Sequence, residues 1–120
     1  MAKMLQADKV LSRVDRVRKN IGFSREDIAA FCVRWGISEF ALFGSVLRND
    51  FKKESDIDVL VTFASDRHIT LFDMVDMGEE LEEIFERKVD LISRRSIERS
   101  ENYLRKESIL SNLEIIYAAG

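Results

Sequence analysis

The chain has 120 residues, 46% hydrophobic and 34% charged, which suits one domain with one real core and excludes a disordered or collagen-like chain. Its 19 Lys+Arg against 22 Asp+Glu give a net charge of −3, a poor match for general DNA binding, which needs a basic face. One Cys (Cys32) and one His (His68) exclude an internal disulfide and a zinc site built on several Cys and His, so a bound metal would rest on carboxylates, as Mg²⁺ or Mn²⁺ does.

Met4, Ala7, Val10 or Leu11, Val14 and Val17 recur at spacings of three and four, which predicts a helix from about Met4 to Lys19. Asn20 and Gly22 are its stop signals. Its stripe fits packing on its own domain or docking against a partner. Ser24, with Asp27 three residues on, opens a second helix whose buried stripe is Ile28, Phe31, Cys32 and Trp35 and which ends at Gly36. The apolar run Phe40–Phe43 predicts a strand leading straight into Gly44-Ser45. After the polar stretch Arg48–Ser55, period-two alternation predicts a strand from Asp56 to Phe63.

Thr70 and Asp73 begin a further helix, running to about Glu86 through Leu71, Met74, Val75, Leu81, Ile84 and Phe85. Val89–Ile92 is a third short strand. The C-terminal part reads as helical, with Leu104, Ile109 or Leu110, Leu113 and Ile116 or Tyr117 on one stripe. Helices alternating with strands in this order predict an α/β (α+β) domain with a small mixed sheet of three to four strands packed with helices. No apolar run approaches the ~20 residues of a membrane span. The N-terminus lacks the apolar core of a secretory signal, so a cytoplasmic protein without membrane contact is expected.

The chemistry concentrates in two stretches, Phe43-Gly44-Ser45-Val46-Leu47-Arg48 and Ser55-Asp56-Ile57-Asp58-Val59. Asp56 and Asp58 are two apart, so a strand puts both carboxylates on one face. Two carboxylates side by side repel unless a cation lies between them. Mg²⁺ commonly takes one or two protein carboxylates and completes its shell with waters and substrate phosphates, so the pair predicts a phosphate-bearing ligand. Gly44-Ser45 supplies the complement: backbone N–H groups freed at a strand-to-helix junction, and a hydroxyl donor. Arg48 lies one turn on if a short helix begins at Ser45 and then faces the same anion; otherwise it is a surface charge or forms an intramolecular salt bridge. Asp90 stands alone in an apolar strand. If that strand lies beside the second, it completes the acid cluster and binds metal or accepts a proton.

Gly44-Ser45, ten intervening residues, then Asp56-Ile57-Asp58 is similar to the nucleotidyltransferase signature of the polymerase-β-like superfamily. More narrowly, FGSVLR, SDIDVLVTF and ERKVDLIS together resemble the minimal nucleotidyltransferases, the MNT proteins paired with HEPN-domain partners. The resemblance implies a nucleotidyltransferase fold over residues 23–120, with residues 1–22 a helical extension. It implies Mg²⁺-dependent transfer of AMP from ATP to a hydroxyl, with Asp56 and Asp58 holding the metals and Asp90 binding the catalytic metal and assisting deprotonation. Gly44 and Ser45 would hold the triphosphate, and Arg48 would assist. It further implies an antitoxin in a hetero-oligomer with a HEPN ribonuclease toxin, modified on a tyrosine. One departure is Lys53-Glu54, where many relatives carry Pro, and it bears on loop stiffness. The short chain suggests that a partner supplies the other wall of the site. Binding without catalysis, and transfer to a small molecule, are the competing functions. Neutralisation by occlusion alone gives no reason to keep three acids together.

Overall fold

The computed structural model describes residues 17–18, 20–64 and 68–119. Helix α1 (Arg25–Trp35) begins as expected, with the Ser24 side chain accepting from the Asp27 N–H. Ser24 Oγ donates to Glu26, so only half of a capping box forms. Gly36 ends the helix in the left-handed conformation, φ 67°. Strand β1 (Ile37–Phe43) starts three residues earlier than its apolar run suggested. A 3₁₀ turn (Gly44–Leu47) follows, then β2 (Ile57–Phe63). Helix α2 (Leu71–Phe85) carries the complete Thr70–Asp73 capping box. Strand β3 (Val89–Ser93) leads into α3 (Arg94–Glu98), α4 (Tyr103–Leu110) and β4 (Glu114–Ala118).

The sheet order is β3-β2-β1-β4. β1 pairs antiparallel with β2 and β4, while β2 pairs parallel with β3 through the crossover helix α2. The last strand corrects the expectation of a wholly helical C-terminus. Glu114–Ala118 is rich in β-branched and aromatic side chains, and it covers the edge of β1 that β2 leaves unpaired. In so short an apolar run the helical and strand periods are hard to separate.

The period-two pattern of β2 divides the core between the two faces of the sheet. Ile57, Val59 and Val61 join Phe40, Leu42, Ile28, Phe31, Met77 and Leu81 in the larger cluster. Leu60 joins Phe43, Ile97 and Ile109 in a smaller one on the other face. Cys32 is core, as expected, and burial pushes its thiol up to about 12. Trp35 is half-buried, and its Nε1 donates to Glu80 at 3.1 Å, tying α1 to α2.

Several apolar positions are not buried. Leu71 and Val75 stand in the exposed first two turns of α2, whose buried stripe is Met77, Leu81 and Phe85. Leu104, expected on the C-terminal stripe, and Tyr103 are likewise exposed on α4. His68 is exposed.

The Met4–Lys19 helix lies almost wholly outside the described residues. At its end Val17, Arg18 and Asn20 are helical, and Val17 and Ile21 are buried in the larger core. Asn20 Nδ2 donates to the carbonyls of Val46 (2.8 Å) and Arg48 (3.0 Å), pinning the exit of the 3₁₀ turn.

The loop before β2 is stiffened without proline. One Arg87 nitrogen donates to the carbonyls of Lys52 (3.1 Å) and Ser55 (3.0 Å), and the guanidinium lies 4.5 Å from the centre of the Phe51 ring. The Ser55 hydroxyl accepts from the Lys52 N–H. This clamp delivers the chain into Asp56 at a defined angle. Arg87→Ala should lower stability by about 1–2 kcal/mol, from the lost charged hydrogen bonds and ring contact. It should also open the loop to trypsin after Lys52 and Lys53, read as faster nicking at that site in limited proteolysis. Unchanged nicking would show that the loop is held by other contacts.

Candidate active site

Two rules of strand geometry assemble the acids. Asp58 lies on the face of β2 opposite Val59, so it shares the smaller-core side of the sheet with Leu60. In the parallel ladder Asp58 is in register with Asp90, and in the antiparallel ladder with Phe43. Residues in register on adjacent strands point to the same side, so the lone acid of β3 stands beside Asp58 as anticipated. Asp56, one residue before β2, is exposed at the strand's entrance.

Asp58 and Asp90 border a cleft of about 650 Å³, whose lining also includes Gly44 and Arg48. The structure therefore brings four of the six expected site residues to one opening. Ser45 and Asp56 stand outside that lining, Ser45 half-buried in the 3₁₀ turn and Asp56 at the flank. Arg48 caps the 3₁₀ turn through its N–H to the Ser45 carbonyl (2.9 Å), while its Nε donates to Asp50 at 3.1 Å. Its guanidinium is thus already engaged, although it borders the cleft. Arg94 pairs with Glu39 and Glu98, and is a structural charge.

Gly44 is where the site depends on a missing side chain. Its φ is +77°, a region unfavourable to other residues, and a Cβ there would collide with the Asp58 carboxylate oxygen Oδ2. The turn can therefore lie directly against the carboxylate.

Asp58 is the electrostatic centre. Half-buried, its carboxyl is pushed from its ordinary 3.8 up to about 6, first by burial and then by the negative charges of Asp90 and Asp56. The cations Arg48 and Arg105 act in the opposite direction. A divalent cation would relieve both the burial penalty and the repulsion, and hard carboxylate oxygens are the donors Mg²⁺ prefers. Among the described residues no group of three or more His, Cys, Asp or Glu is arranged to hold a metal ion by itself. The donor set fits a cation that keeps water or substrate oxygens in much of its shell.

The residue pattern did not reveal the far wall. Helix α4 contributes Arg105, Ser108 and Ile109 to the cleft, and Asn112, just past its C-cap, joins them. Arg105, Ser108 and Asn112 recur at three and four residues, a polar stripe at helical spacing. That spacing was visible, but nothing local tied it to the Gly-Ser turn some sixty residues earlier. The chain itself thus supplies a second wall, which narrows the inference from length that a partner must do so.

Fold and site together define a small α/β enzyme domain in which Asp58 and Asp90 border an open cleft and a glycine turn lies against the Asp58 carboxylate. Residues 25–116 match the family described as nucleotidyltransferase domain. The chain belongs to that family.

A candidate protein adenylyltransferase of Methanocaldococcus jannaschii is 36% identical over 78 residues, covering 65% of this chain and 82% of that protein. The protein adenylyltransferase MntA of Thermococcus cleftensis is 34% identical over 64 residues, covering 53% of this chain and 63% of its own length. Among solved structures, a candidate minimal nucleotidyltransferase superposes with a TM-score of 0.59 at 32% identity, over 75% of this chain and 86% of that one. The complex of a tri-AMPylated Shewanella oneidensis HEPN toxin with its MNT antitoxin has a TM-score of 0.56 at 17% identity. That match covers 86% of this chain and 73% of that one, and is a likeness of fold.

The raised Asp58 carboxyl makes stability depend on pH. Its folded value lies above its unfolded one, so the folded state holds the proton more tightly. The resulting stabilisation is complete below about 3.8 and is lost as pH rises through about 6. Asp58→Asn, permanently neutral, should match the wild type near pH 4. At pH 7.5 without divalent cations it should be more stable, by on the order of 1 kcal/mol after solvent screening of a half-exposed group. Thermal melts across that range read the difference. Equal gaps at both pH values would remove the electrostatic explanation.

Gly44→Ala should have the opposite sign. It should destabilise by at least about 1 kcal/mol from backbone strain alone, with the clash against Asp58 added. Denaturant titration measures the loss.

Proposed function

We propose that this nucleotidyltransferase moves AMP from ATP to a hydroxyl, with Mg²⁺ (or Mn²⁺), and that its acceptor is a tyrosine of a partner HEPN-domain toxin. The chain would then act as the antitoxin of a cytoplasmic pair, bound to its toxin as a hetero-oligomer, with no nucleic acid or membrane contact required. One observation carries the transferase chemistry: Asp58 and Asp90 stand in register on parallel neighbouring strands, at a cleft that the Gly44 turn borders. The adenylyl group is supported by the protein adenylyltransferases to which the chain is similar. The toxin partner is supported by the likeness to the MNT antitoxin of the HEPN complex.

Each residue has a task in this reading. Asp58 and Asp90 would hold the divalent cation through carboxylate oxygens, with Asp56 joining them from the strand's entrance. Held there, the cation would supply positive charge to offset that of the phosphates. The backbone of Gly44 and the Ser45 hydroxyl hold phosphate oxygens, with Arg48 adding positive charge nearby. Asp90, exposed at the cleft, accepts the proton of the attacking hydroxyl. The acceptor oxygen forms a bond to the α-phosphorus. The bond from that phosphorus to the bridging oxygen breaks, and pyrophosphate leaves with the electron pair. Residues 23–120 constitute the catalytic domain, with residues 1–22 an extension whose last turn braces the 3₁₀ turn through Asn20.

The test is incubation with ATP, Mg²⁺ and the HEPN-domain protein encoded beside it, followed by intact-mass and peptide mass spectrometry. AMP should appear on a partner tyrosine. Asp56→Ala combined with Asp58→Ala should reduce the adduct by at least about a hundredfold, the scale of losing a main electrostatic contributor. If the double variant neutralised the toxin as well as the wild type does, and no adduct formed with either, neutralisation by binding alone would replace this reading.

A further inference from the structure

We propose that Arg105 of α4 contacts the outer phosphates of the bound nucleoside triphosphate, making the C-terminal helix the anion-binding wall of the cleft. This rests on the nucleotidyl-transfer reading above and adds a contact that lies outside the Gly44–Ser45 turn.

Three observations converge on Arg105. First, it borders the same cleft as Gly44, Asp58 and Asp90, from the helix rather than from the sheet. Second, of the two arginines at that opening, Arg48 already gives its Nε to Asp50. Arg105 makes no ion pair and no side-chain hydrogen bond among the described residues; only its backbone N–H is used, by the Asn102 cap. Its charge is nevertheless felt at the Asp58 carboxylate. Third, its neighbour on the polar stripe, Ser108, also borders the cleft and offers a hydroxyl. Asn112 closes the stripe by donating from Nδ2 to the Ser108 carbonyl at 2.8 Å.

An unengaged guanidinium beside clustered acids has a definite electrostatic meaning. The carboxylates favour a cation and repel any phosphate oxygen that the cation does not cover. A triphosphate carries more negative charge than its metal neutralises, so its outer phosphates need a second positive group away from the acids. A guanidinium meets that need with a planar fork matched to phosphate oxygens. The placement is rigid at its base: Ile109, one turn on from Arg105, is buried in the smaller core with Phe43 and Leu60 and seats the helix on the sheet. The helix then runs into β4, which pairs with the strand that carries Gly44 at its end. The two walls are thus linked through a single sheet.

The test uses the full chain, with Mg²⁺ and fluorescent mant-ATP and mant-AMP as probes. Wild type should bind mant-ATP more tightly than mant-AMP. Arg105→Ala should weaken mant-ATP about tenfold, the scale of one charge-assisted contact, and leave mant-AMP within about twofold. Arg105→Lys should fall between. Because the side chain is exposed and supports no other residue, the melting temperature should stay within about 2 °C, which separates this role from a structural one. If Arg105→Ala bound mant-ATP as the wild type does, or lost both nucleotides equally, the contact would be refuted and the nucleotidyl-transfer reading would stand. If wild type bound neither nucleotide, that reading would fall and this inference with it.

Discussion

Asp58 is a half-buried carboxylate held between two others, and the rest of the domain is arranged around tolerating it. Burial and repulsion both oppose its ionisation. Its place in the ladder nevertheless holds it beside Asp90, because sliding β2 by one residue would turn Ile57, Val59 and Val61 out of the larger core. The apolar face of the strand therefore fixes the polar one. A site of like charges persists because the hydrophobic register that enforces it is worth more than the repulsion. Each fully buried branched side chain contributes about 1.5–3 kcal/mol.

The same logic explains the two unequal cores. The larger one anchors the sheet to α1 and α2 and sets the register. The smaller one does less for stability and more for placement, since Ile97 and Ile109 seat α3 and α4 against the face that carries the acids. That face cannot be covered completely without closing the cleft. The open part is where Asp58, Asp90 and the α4 stripe border the cleft. The absent side chain of Gly44 and the Arg87 clamp act at the two ends of this arrangement. One lets the turn lie against the carboxylate, and the other steers the chain into Asp56.

Much of this was legible in the residues. The Ser24 and Thr70 caps, the Gly36 stop and the alternation of β2 are local signals, decided within a few residues by hydrogen bonding and side-chain period. The motif acids were legible for the same reason, because two carboxylates at one strand spacing must share a face. Positions whose fate depends on distant packing were misread. Leu71, Val75 and Leu104 look apolar enough to be core, yet they project beyond the sheet. The loop where Lys53-Glu54 stands in place of proline is held from outside by Arg87, a contact no local pattern announces.

What the sequence by itself determined is the set of chemical groups: a glycine turn and three acids in or beside apolar strands, with too little Cys and His for a zinc site built on them. The tertiary structure alone decided which of those groups meet. It placed Asp90 opposite Asp58, left Ser45 and Asp56 outside the cleft lining, and turned the final segment into a strand. It also brought Arg105 to the acids from the far end of the chain. Local hydrogen bonding and side-chain period are written in short windows of residues. The pairing of strand edges and the seating of a helix on a sheet face depend on surfaces that exist only once the chain has folded.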